Sequence, residues 1–114
     1  FSLSMLFSDE VPLYTNIKTN EMEGMLDNKQ SFIVYFYQEN CPSCKKVTPI
    51  INEYISAGGQ IYGIDINDDQ DPHFLTQMVG VQATPTLITY IDGDEYGRLS
   101  SVFSKEDLMT MLAE

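Results

Sequence analysis

The spacing of apolar side chains along the chain alternates between the period of a strand and that of a helix. VPLYTNI reads as a short strand over Leu13 to Ile17. TNEMEGMLDNK follows with Met22, Met25 and Leu26 at helical spacing and Thr19 or Asn20 as the expected cap. SFIVYFY, Ser31 to Tyr37, is a nearly unbroken run of β-branched and aromatic residues, the pattern of a central strand covered on both faces. PSCKKVTPIINEYISAGG then places Val47, Ile50, Ile51, Tyr54 and Ile55 on one helical side and stops at Gly58 and Gly59, with a kink expected at Pro49. IYGIDI, Ile61 to Ile66, predicts a third strand. A polar loop follows, and a helix is expected to begin near Pro72, because proline suits a first turn. Thr86 to Ile91, a turn at Asp92 and Gly93, and a return from Glu95 towards Val102 read as a hairpin. In the last helix, KEDLMTMLAE, Ser104 is the expected cap and Asp107 completes a box-like start.

Composition fits one domain. The chain has 114 residues, 43% of them hydrophobic, enough for a single core without a staple or a metal. There is no internal repeat or low-complexity linker. The expected division is an arm over residues 1–10, where FSLSMLF is a short apolar opening suited to a trimmed signal peptide or anchor stub, and one domain over 11–114. With 17 acids against 6 bases the formal charge is −11, which disfavours a nucleic-acid partner. No run of about 20 apolar residues is present to span a bilayer.

Cysteine chemistry narrows the reading further. Both cysteines lie in QENCPSCKKVTP. A bridge between Cys41 and Cys44 closes a loop too short to remove much unfolded-state entropy, so its purpose is chemical rather than structural. A metal site wants four ligands, and Cys41, Cys44 and His73 are the only Cys or His in the chain. His73 reads as a solvated residue near a helix start. A cysteine at a helix N-terminus gains stabilisation of its thiolate from unpaired backbone N–H groups. This marks Cys41 as the nucleophile and Cys44, one turn on, as the resolving thiol. Pro42 fits the first turn, Ser43 completes the dipeptide, and Lys45 and Lys46 add positive potential or are simply solvated.

The order of elements, the C-P-S-C between second strand and second helix, the apolar FIVYFY before it, Pro49 eight residues after Cys41, and the TPT triplet Thr84 to Thr86 together resemble the thioredoxin family. The likeness covers nearly the whole chain beyond Val11. Within the family, KQSFIVYFYQENCPSCKKVTPIINEY is similar to the bacterial extracytoplasmic and bacteriocin-transport-accessory type. The resemblance implies an α/β thioredoxin fold, a central mixed sheet of about five strands flanked by helices on both faces. It also implies a cis bond before Pro85 and a substrate-docking edge at Thr84 and Pro85.

Departures from the family pattern are equally informative. Thioredoxins proper carry a tryptophan before the first cysteine and Gly-Pro between the pair. This chain has no tryptophan, Asn40 before Cys41, and Pro42-Ser43 between. Their buried aspartate and lysine correspond here to Tyr35 and Gly63. The expected activity is thiol–disulfide exchange on protein disulfides, without a cofactor, by a monomer working with an unidentified redox partner outside the cytoplasm, with a membrane tether through a missing N-terminal segment as one possibility. A cytoplasmic setting, a redox-idle binding module of the same fold, and a glutaredoxin-like enzyme are the competing readings. The last wants cations to hold glutathione carboxylates, which the negative charge disfavours.

Overall fold

The computed structural model describes residues 11–67, 74–81 and 83–113. The expected arm over 1–10, the start of the third helix at Pro72, and His73 lie outside these residues. Among the described residues nine elements run in chain order: β1 (Thr15–Asn16), α1 (Thr19–Asp27), β2 (Phe32–Tyr37), α2 (Pro42–Ser56), β3 (Tyr62–Asp65), one π-helical turn (Phe74–Val79), β4 (Thr86–Ile91), β5 (Asp94–Ser100) and α3 (Lys105–Ala113). The strands form one five-stranded mixed sheet in the order β1-β3-β2-β4-β5. β1 and β2 run parallel to β3, and β4 runs antiparallel to both β2 and β5.

The unbroken apolar run of β2 has a direct physical cause. Alternate side chains of a strand point to opposite faces. Phe32, Val34 and Phe36 join Met22 of α1, Leu75 and Val79 of the π turn, Val81, Ile64, Ile88 and Tyr90 in one core. Ile33 and Tyr35 join Val47 and Ile51 of α2, Leu108 of α3, Ile61, Leu87 and Phe103 in the other. With a core on each side, β2 has no solvent face on which a polar side chain could sit.

Local signals set most boundaries. The reciprocal cap of α3 is present as expected: the Ser104 N–H donates to Asp107 Oδ2 (3.1 Å), and the Asp107 N–H donates to Ser104 Oγ (3.0 Å). After α2, Gly58 turns at φ +109, a conformation that a side chain disfavours. Asp92 and Gly93 both have positive φ, the pair of values that a two-residue hairpin turn requires.

Three expectations need correction. The cap of α1 is Lys18, not Thr19 or Asn20; its N–H donates to Glu21 Oε1 (3.0 Å), while Thr19 is already helical and buried. The first strand holds two residues rather than five: Thr15 and Asn16 pair with Tyr62 and Gly63, and Ile17 adds only its N–H, which donates to the Gly63 carbonyl (2.9 Å). The third helix is a single π turn in its described part. That turn is tied to the sheet edge by Arg98, which donates to the carbonyls of Gly80 (3.1 Å) and Val79 (2.8 Å) and to both carboxylate oxygens of Glu95 (2.8 Å each).

Arg98→Ala removes two donors from half-buried carbonyls and is expected to cost about 1–3 kcal/mol. Glu95→Gln, at an exposed pair, should cost only about 0–1 kcal/mol. The hydrogen bonds from Arg98 hold the Glu95 carboxyl below its usual range, against a smaller opposing effect of burial. A depressed carboxyl contributes its stability above the unfolded value, about 4.3, and loses it as pH falls through the lower folded value. Urea unfolding midpoints should therefore show the gap between parent and Glu95→Gln present at neutral pH and closing in acid, with the Arg98→Ala deficit persisting.

Candidate active site

Cys41 sits where β2 has ended and α2 is about to begin. Asn40 makes the entry with φ +60, a left-handed conformation that asparagine tolerates better than most residues. Cys41 is extended (φ −108, ψ 100) and caps α2, and Pro42 occupies the first helical position, where a missing N–H costs nothing. The Cys44 N–H donates to Cys41 Sγ (3.1 Å). Cys41 and Cys44 form a disulfide with their Cα atoms 5.2 Å apart. Both are buried, Cys44 slightly more so at 5% exposure against 8%. Ser43 between them is half-buried, and Pro42 is exposed.

Thr84 and Pro85 approach from the start of β4. The Thr84–Pro85 peptide bond is cis. Thr84 Oγ1 lies 3.5 Å from Cys41 Sγ and accepts from Gln38 Nε2 (3.0 Å). Pro85 is buried and its carbonyl already accepts from the Ser101 N–H (2.9 Å). The structure thus brings Cys41, Cys44, Thr84 and Pro85 to one place.

Beside the disulfide lies a cleft of about 790 Å³, lined among others by Cys41, Cys44, Tyr14, Tyr35, Tyr37 and Glu39. Its far wall is the segment before β1. Buried Asn52 of α2 pins that segment by donating to the Val11 carbonyl and accepting from the Leu13 N–H (2.9 Å each). Tyr35 is buried at 1% exposure, and its hydroxyl donates to the Cys44 carbonyl (3.3 Å). Its ring stacks on Tyr37 with centroids 5.6 Å apart, and Tyr14 meets Tyr35 edge-on at 5.3 Å. Burial, with a smaller contribution from Tyr37, raises the Tyr35 phenol above its usual range; burial and the neighbouring tyrosines do the same to Tyr14. Both phenols therefore stay protonated at neutral pH. Gly63 makes the packing possible, since a Cβ there would overlap the Tyr14 ring.

Sequence reasoning had singled out Tyr35 but missed Tyr14, Tyr37, Gln38, Asn52 and Asn67. One signal was available: Tyr35 and Tyr37 are two residues apart on a strand and so share a face. Of the lysines after the pair, Lys45 is exposed and lines the cleft, while Lys46 is exposed and does not line it. Among the described residues, no group of three or more His, Cys, Asp or Glu side chains could hold a metal ion.

Comparison with known proteins agrees with this geometry. The chain is 31% identical over 80 residues to a thioredoxin of Streptomyces clavuligerus, covering 69% of this chain and 74% of the relative. It is 29% identical over 92 residues to a thioredoxin of Chlamydia caviae, covering 75% and 89%. A structure solved in work on the thiol-resolving mechanism of yeast mitochondrial 1-Cys peroxiredoxin via glutathione/thioredoxin systems superposes with a TM-score of 0.72 at 16% identity, covering 90% of this chain and 96% of that one, a likeness of fold. The family model that matches is Thioredoxin, over residues 14–114. With the fold, the cysteine pair and this match in agreement, the chain belongs to the thioredoxin family, whose members in general carry out thiol–disulfide exchange.

Proposed function

We propose that the chain exchanges disulfides in protein substrates, with Cys41 as the attacking and Cys44 as the resolving thiol. The observation that carries this reading is the position of Cys41 Sγ, which accepts the Cys44 N–H at the start of α2 with the Thr84 hydroxyl alongside. In the reduced protein the Cys41 thiolate attacks one sulfur of a substrate disulfide. The substrate S–S bond breaks, one substrate thiolate leaves, and a mixed disulfide forms on Cys41. Cys44 then loses its proton and attacks Cys41 Sγ, expelling the second substrate thiolate. Two electrons have passed to the substrate, and the protein is left with the Cys41–Cys44 disulfide. Because the Pro85 carbonyl is engaged by Ser101, main-chain contacts from an extended substrate fall to Thr84. An extracytoplasmic setting is supported by the resemblance of the run Lys29 to Tyr54 and by the absence of the family's tryptophan. Fractionation of the native host with an antibody to the chain tests it, and recovery in the cytosol counts against it.

Insulin-disulfide reduction with dithiothreitol as electron source is the decisive assay. The parent should accelerate precipitation and Cys41→Ser should not; equal rates for the two proteins would leave a binding module as the reading. In brief iodoacetamide treatment of the reduced protein, Cys41 should label first and at lower pH, because hydrogen bonds and the helix N-terminus favour its thiolate. Preferential labelling of Cys44 would reverse the assigned roles.

A third expectation concerns resolution. The protonated phenol of Tyr35 cannot take the Cys44 proton at neutral pH, so resolution should be slow. Tyr35→Asp should speed decay of the mixed disulfide in stopped-flow measurements, while costing about 3–5 kcal/mol of stability through the lost ring. Tyr35→Phe keeps the ring and should leave the rate unchanged. If the aspartate variant resolves no faster, proton removal is not the slow step.

A further inference from the structure

Gln38 directly follows β2, and its side-chain amide is used at both ends. Nε2 donates to Thr84 Oγ1 (3.0 Å), while Oε1 accepts from Asn67 Nδ2 (2.9 Å). Asn67, just beyond β3, is held in turn by its own N–H, which donates to Asp65 Oδ1 (3.0 Å). Side chains from the ends of two strands and from the approach to a third thus form a line that ends 3.5 Å from Cys41 Sγ.

The line has a direction. A hydroxyl offers one proton and two lone pairs. The Gln38 N–H occupies one lone pair of Thr84 Oγ1, and Cys41 Sγ in the disulfide carries no proton, so the hydroxyl is the donor of the Thr84–Cys41 contact. Turning the Gln38 amide over by itself would set its N–H groups against those of Asn67, so reversing the line requires both amides to turn together.

We propose that Gln38 is a positioning residue that aims the Thr84 hydroxyl at Cys41 Sγ and thereby sets how readily Cys41 ionises. This rests on the reading of Cys41 as the attacking thiol. A hydroxyl donates more strongly to an anion than to a neutral acceptor. The aimed proton therefore favours the Cys41 thiolate over both the thiol and the disulfide. Thr84 touches the reacting sulfur, and Gln38 acts through Thr84. A Gln38 that merely braced the end of the sheet would change stability and leave the ionisation of Cys41 where it was.

The test is the pH dependence of Cys41 in the reduced protein, read by iodoacetamide labelling with mass spectrometry and by ultraviolet thiolate absorbance. Gln38→Ala and Thr84→Val should each move the midpoint up by about 0.5–1 pH unit, a roughly three- to tenfold loss of thiolate at pH values below the midpoint. Thr84→Ser should behave as the parent, which separates the hydroxyl from any packing change. Adding Gln38→Ala to Thr84→Val should give no further shift. Gln38→Glu should move the midpoint further than Gln38→Ala, because a carboxylate only accepts, claims the Thr84 proton and adds a like charge. An unchanged or lowered midpoint in Gln38→Ala overturns the proposal, as does a full Gln38→Ala shift in the Thr84→Val background. Labelling needs no turnover, so these results stand apart from the insulin assay: a parent inactive on insulin whose midpoint still follows Gln38 would sink the proposed function alone.

Discussion

Everything at the site hangs on the two-sided burial of β2. Phe32, Val34 and Phe36 are locked into one core while Ile33 and Tyr35 are locked into the other, so the strand can neither slip by one residue nor rotate. The turn that leaves its end is correspondingly fixed: Gln38, Glu39 and Asn40 lead to Cys41 in three residues, and Pro42 starts α2 at once. Helix α2 buries Val47 and Ile51 against the same sheet face that holds Tyr35. The first turn of α2 is thus anchored from both ends, and the orientation of the Cys44 N–H towards Cys41 Sγ follows from that anchoring.

The same burial decides what can stand beneath the dithiol. Tyr35 points into the core that contains both cysteines, where an ionised group would lose its hydration. A phenol meets the demand in another way: its ring fills the space and its hydroxyl donates to the Cys44 carbonyl. Tyr14 extends the aromatic layer over Gly63, and Tyr37 carries it to the sheet end, where its hydroxyl donates to Asn16 Oδ1. Packing and a fixed Cys44 backbone are gained, and a proton acceptor is forgone. The trade concerns Cys44, since Cys41 draws its hydrogen bonds from the helix start and from Thr84 on the other side.

What was legible in the sequence was local or periodic. The continuous apolar run of β2, the Ser104–Asp107 cap, the turn at Asp92 and Gly93, and the placement of Cys41 before a helix are each written within a few neighbouring residues. The cap of α1 escaped because Lys18 contributes its backbone N–H to Glu21 and has no capping side chain for composition to signal. The π turn escaped because the fastening of its end comes from Arg98, 18 and 19 residues further on. Gln38 escaped for the same reason on a larger scale: Thr84 is 46 residues away and Asn67 is 29. A glutamine at a strand end gives no sign of its partners until β4 has folded beside β2.

Charge poses an apparent conflict, since a chain of net −11 would be expected to oppose one more anion at Cys41. Distance resolves it. At physiological salt, exposed charges are largely screened beyond about 8 Å, and the acids are spread over the chain. The Cys44 N–H and the Thr84 hydroxyl act at 3.1 and 3.5 Å on a buried sulfur, where screening is weak and the effective dielectric is lower. The two effects therefore operate on different events. On the proposed reading, the acidic surface would favour the approach of basic proteins, and less so as salt rises. On the same reading, ionisation of Cys41 is set by the few dipoles fixed by β2, α2 and Thr84.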